Sequence, residues 1–130
     1  MKYDTTKQDY NWNNWSDAFG HVWKYENKNR SFKIMHNTIA SIDGTNAVVI
    51  TLHNTDIYRI NWSHSGSSTI TLDSGGWQTV TTKDRINRFL PLGFRLIQRN
   101  WNWIIQEMED GTYRDRELFH DGMQIKLELG

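Results

Sequence analysis

A chain of 130 residues is the length of one domain, and the lack of any cysteine excludes disulfides, thiolate nucleophiles and cysteine-based zinc sites together. Fifteen basic and fifteen acidic side chains cancel, which excludes the uniformly basic surface of a general nucleic-acid binder. No apolar run approaches the ~18 residues of a membrane span, nor does one follow Met1-Lys2-Tyr3-Asp4 as in a secretory signal.

From the N-terminus, Trp12, Trp15, Phe19, Val22 and Trp23 recur at spacings of three and four, the stripe of an amphipathic helix. Gly20 and the neighbouring asparagines argue against it. Residues 1–35 read as an N-terminal elaboration within a single domain spanning 1–130. Asp43-Gly44, Asp110-Gly111 and Asp121-Gly122 are hairpin signals wherever strands flank them. The first stands between Ile39/Ile42 and the run from Ala47 to Leu52, whose apolar, β-branched residues predict a central buried strand. Tyr58, Ile60 and Trp62 alternate with Arg59 and Asn61, and after the loop Ser63–Ser67 the segment Thr69–Leu72 alternates again.

Ile86, Phe89 and Leu90 form the apolar stripe of one short helix. Thr81 or Thr82 is its expected cap, Thr81 with Asp84 matching the capping pattern, and Pro91 and Gly93 end it. Phe94–Ile105 reads as a long strand or a hairpin pivoting near Asn100, with Trp101 and Trp103 on one face. Met123–Leu129 alternates with a charged outer face, which suits an edge strand; with the many aromatics it favours a homo-oligomer, the alternative being that Lys126 and Glu128 protect the edge from pairing. The expected fold class is α+β: an antiparallel sheet of five or six strands, the short central helix, and an N-terminal helix, with helices on one face.

Residues 50–57, with the sequence Ile-Thr-Leu-His-Asn-Thr-Asp-Ile, and the stretch from Thr71 through Gly75-Gly76-Trp77 to Asn87 carry a resemblance. They resemble small proteins of tailed bacteriophages and environmental viral genomes, which share an LH-x-T-D/N-I/V strand, a GGW turn and a T-x-TTK-x-R-I/M-N helix start. The aromatic strand Phe94–Trp103 and the Phe119–Met123 ending fit the same group, over roughly residues 45–125. The resemblance implies a viral origin and a product inside the host cytoplasm, and it carries no activity with it.

The strongest candidate for chemistry is the glycine turn and the helix start after it. Two glycines expose backbone N–H groups, a helix N-terminus adds unpaired donors, threonines add hydroxyls and Trp77 adds a stacking face. The candidate anion site is therefore Gly75, Gly76, Trp77, Thr79, Thr81, Thr82, Lys83, Arg85 and Arg88. Lys83 and Arg85 lie off the apolar stripe and are expected on the surface, within the basic stretch 83–99 that the acidic stretch 107–121 balances. The alternative is a tight turn, a capped helix and a core tryptophan.

His53, His64 and His120 match no metal-ligand spacing, so no metal or cofactor is expected. The seven tryptophans are either core, or in part a stacking platform of Trp62, Trp77, Trp101 and Trp103. The expected function is binding without catalysis. The partner is a nucleotide, a nucleic acid or a host protein, as for an inhibitor of host machinery. A virion structural component is one alternative; a small phosphodiesterase or nuclease using His53 and His64 is another.

Overall fold

The structure, a computed structural model, describes residues 8–24, 31–44, 47–63 and 66–128. Along them run α1 (Trp15–Lys24), β1 (Ser31–Met35), β2 (Thr38–Asp43), β3 (Ala47–Leu52), β4 (Thr55–Trp62), β5 (Ser68–Leu72), α2 (Val80–Phe89), β6 (Phe94–Arg99), β7 (Asn102–Glu109), β8 (Thr112–Leu118) and β9 (Met123–Leu127). One antiparallel sheet of six strands has the order β1-β2-β3-β4-β5-β9, and a second of three has the order β6-β7-β8. The α+β class stands, but the strands divide into two sheets instead of one.

Side chains facing one another across antiparallel strands share a face, so the register shows how the large sheet builds its core. Ala40, Ile50, Tyr58, Leu72 and Met123 form one row across it, and Ile42, Val48, Ile60, Ile70 and Ile125 form the next. Every residue in these two rows is buried. The opposite face carries Ser41, Arg59, Thr71 and Gln124, with Val49 sheltered among them. The strand expected to be central, β3, is indeed internal and almost wholly buried.

Both helices pack on the core, α1 through Ala18 and Val22 and α2 through Ile86 and Phe89. Trp12, expected on the stripe of the first helix, lies ahead of it and is buried against Phe89 and Tyr58, at centroid distances of 4.8 and 5.9 Å. Around it the N-terminal segment straps onto the end of α2. Gln8 Nε2 donates to the carbonyls of Leu90, Pro91 and Phe94, and Tyr10 N–H donates to Arg88 O. The described part of the N-terminal segment thus supplies Trp12, Ala18 and Val22 to the core.

Four other expectations change. The expected hairpin near Asn100 forms, but its tight turn at Asn100-Trp101, both with positive φ, takes Trp101 off the face of Trp103: Trp101 is 89% exposed while Trp103 is 4% exposed in the core. Asp121-Gly122 joins strands of different sheets and closes no hairpin, whereas Asp110-Gly111 does close β7 onto β8. The cap of α2 is Thr79, whose side chain accepts the Thr82 N–H, two or three residues earlier than expected. Asp84, expected in the first turn, lies beyond it and is fully buried. His64 and Leu129 lie outside the described residues.

Candidate functional site

A cleft of about 360 Å³ opens at one end of the large sheet, between the β3–β4 turn and the loop that enters α2. Leu52 and Ile57 supply apolar lining; His53, Asn54 and Thr55 come from the turn, and Ser74, Trp77, Thr79 and Thr82 from the loop and helix start. Such a volume lies at the small end of ligand sites.

Local sequence explains why these pieces meet. His53 adopts φ 55° to let the chain reverse in two residues, and its N–H donates to Asn37 O at 3.0 Å, tying two turns together. Opposite it, Gly75 sits at φ 63°, where a Cβ would stand 2.6 Å from Thr55 Oγ1. Only glycine lets the loop close on the β4 strand there.

The donors of the glycine turn are already engaged. Asp121 Oδ1 accepts from Ser74 N–H at 2.8 Å and from Ser74 Oγ at 2.6 Å, and Gly76 N–H donates to Ser74 Oγ at 3.2 Å. Burial pushes the Asp121 carboxyl up, but these donors outweigh it and hold the group below the usual carboxylate range. Gly75 N–H donates to Asp73 Oδ1. An internal carboxylate therefore occupies the nest that glycines commonly offer to an outside anion.

What stays open is the rim. His53 and Asn54 have no side-chain partner among the described residues, and both are exposed. Trp77 is 71% exposed beside them. The hydroxyls of Thr79 and Thr82 lie 3.0 Å apart at the helix start, where Val80 and Thr81 N–H groups lack intrahelical acceptors.

Of the residues expected from sequence, Trp77, Thr79 and Thr82 line the cleft, and Gly75 and Gly76 shape the turn behind it. Thr81 is half-buried on α2 and does not line it. Lys83, Arg85 and Arg88 also stand outside the lining. Lys83 and Arg85, expected on the surface, are 9% and 5% exposed, because α2 is covered on that side by the sheet and by β6. Arg85 donates to Asp84, to Thr38 Oγ1 and to His36 O; Arg88 donates to Asp84 and Asp9. Lys83 has no ionic partner among the described residues, and burial lowers its pKa.

The sequence reading missed His53, Asn54 and Thr55 as part of this site. Their only signal was the LH-x-T-D-I segment, which the resemblance already carried. Among the described residues no three His, Asp or Glu side chains gather as a metal site, and no helix is long and apolar enough to cross a membrane. His120 lies 3.7 Å from Glu117 on the surface. The four tryptophans of the supposed platform do not act together: Trp103 is buried, Trp62 packs on Trp15, and Trp77 and Trp101 are exposed.

The family model described as Kyanoviridae Gp96 protein matches residues 10–126. No curated protein and no solved structure matches the chain.

Proposed function

The chain belongs to the Kyanoviridae Gp96 protein family, and from that premise we propose that this phage protein works by binding a ligand that joins a planar ring to an anionic group, as a nucleotide does. One observation carries the reading: an exposed indole, an imidazole and an amide without side-chain partners among the described residues, and a helix N-terminus converge on one cleft. The indole of Trp77 is a stacking face for a base. His53 and Asn54 are hydrogen-bonding groups for its edge. The amides and hydroxyls at the α2 start favour the anionic end of the ligand.

The internal ion pairs of Arg85 and Arg88 leave this cleft short of positive charge, which favours a single nucleotide over a nucleic-acid strand. A host protein would use a different surface. Trp101, exposed on a strained turn, favours that second reading as an anchor of the kind that dominates protein interfaces.

Thermal melts in adenosine monophosphate and in sodium chloride at equal ionic strength test the first reading. A ligand at about a hundred times its Kd stabilises by roughly 2.7 kcal/mol. Trp77→Ala removes a stack worth about 1–3 kcal/mol and cuts that protection by between about a third and nine-tenths, while the unliganded melt stays in place because the indole is exposed. Equal melts in both salts, or protection unchanged in Trp77→Ala, would contradict the reading.

A further inference from the structure

A second cleft, of about 310 Å³, opens on the other side of the β3–β4 turn, lined by Lys33, Asn37, Thr38, Ile39 and His53. His53 is the residue it has in common with the cleft beside Trp77. Register places it on the face of the large sheet turned away from the core: Lys33 pairs with Ile39 across β1 and β2, and Ile39 with Thr51 across β2 and β3. At the sheet end the β1–β2 turn adds Asn37 at φ 54° and the β3–β4 turn adds His53 at φ 55°. The bond from His53 N–H to Asn37 O holds these two turns side by side. Thr38 is fixed beneath them, since its buried hydroxyl donates to His36 O at 2.9 Å and accepts from Arg85 Nε at 3.0 Å.

The other polar groups of this cleft are open. Lys33, Asn37 and His53 are exposed, and their side chains have no hydrogen-bond or ionic partner among the described residues. The acid on the same row of the sheet is Asp56, which pairs in register with Thr51 and accepts from its hydroxyl at 2.7 Å. Asp56 stands on β4 and Lys33 on β1, three strand spacings or about 14 Å apart, beyond the screening length of physiological salt. The Lys33 ammonium therefore meets no counter-charge along that row.

We propose that this second cleft binds a small organic anion of single charge, a carboxylate on a short apolar stem. Lys33 supplies the one ammonium, and the Asn37 amide and His53 imidazole are hydrogen-bonding groups for the carboxylate oxygens. Ile39, 44% exposed, gives the stem an apolar surface to cover. The lining holds one cation and no helix N-terminus, so the doubly charged phosphate of a nucleotide would leave a charge unmatched there. In ligand class and in residues the second cleft stands apart from the one beside Trp77, and its occupation does not depend on nucleotide binding.

Titration of the isotope-labelled full chain with sodium butyrate, against sodium chloride at equal ionic strength, tests the site. Butyrate shifts the backbone amide resonances of Lys33, residues 37–39 and His53, and leaves residues 74–82 and the Trp77 indole in place. Lys33→Ala keeps the spectrum of a folded chain, because the side chain is exposed, and weakens butyrate binding by about fivefold, the scale of one solvent-accessible ion pair. Butyramide, of the same shape without the charge, shifts nothing at the same concentration. No butyrate shifts at these residues, equal shifts with butyramide, or a Kd unchanged in Lys33→Ala would each overturn the proposal.

Discussion

Asp84 is fully buried, and one of its oxygens takes both Arg85 and Arg88. Two arginines that a linear reading assigns to an outside anion are thereby spent on an inside one. The physical cause is the cost of desolvation: a carboxylate in the core of α2 is tolerated only with ionic partners and hydrogen bonds around it. Arg85→Ala removes the partner that also ties α2 to Thr38, and the account expects a loss of about 3 kcal/mol in urea unfolding. A change near zero would show that Arg85 is the surface residue its sequence position suggests. The same burial makes Lys83/Arg85 a poor double substitution for testing ligand binding, because it disturbs the fold first.

At the scale of elements, a polar bond inside an aromatic cluster ties the strap to α1. Trp12 Nε1 donates to His21 Nδ1 at 3.2 Å, and Tyr10 lies 5.4 Å from the His21 ring. A proton on Nδ1 removes the acceptor of a buried indole. Burial, then the charge of Lys24, lowers the His21 pKa below its usual 6.5. The unfolded chain therefore binds the proton at higher pH than the folded one. The stability from neutral His21 is complete above about 6.5 and is lost progressively as pH falls from there through the lower folded value. His21→Gln, which cannot titrate, flattens melting temperature against pH in that window. An unchanged slope would place the titration elsewhere.

Elements differ in how plainly the sequence announces them. The β3–β4–β5 meander shows because β-branched and alternating apolar residues meet one buried face. The strand β8 is hidden because nearly all of its residues are exposed, so no alternation of apolar side chains marks it. The cap of α2 was expected at Thr81 or Thr82, and the extended backbone of Thr79, at φ −100° and ψ 164°, puts it earlier than the threonine pattern suggests. Half of the cleft is legible as the contiguous run Trp77, Thr79 and Thr82. The other half arrives by strand pairing from His53 and Asn54, and the carboxylate that fills the glycine nest comes from Asp121, 47 residues beyond Ser74.

Across the whole molecule, local charge runs become internal pairs. Arg99 meets Asp115 at 2.6 Å, Arg116 meets Glu107 at 3.3 Å, and Arg95 lies over the Tyr113 ring at 3.9 Å. Arg99 of the basic stretch thus meets Asp115 of the acidic one across the small sheet, and Arg116 pairs within the acidic stretch itself. In the proposed reading, recognition rests on a shaped cleft. Its most direct test is a titration of the isotope-labelled protein with adenosine monophosphate, followed by backbone amide and indole N–H resonances. The account predicts shifts confined to His53, Asn54, residues 74–82 and the Trp77 indole, with the Trp101 indole unmoved. Shifts centred on Trp101, or none in the cleft at saturating nucleotide, would contradict it.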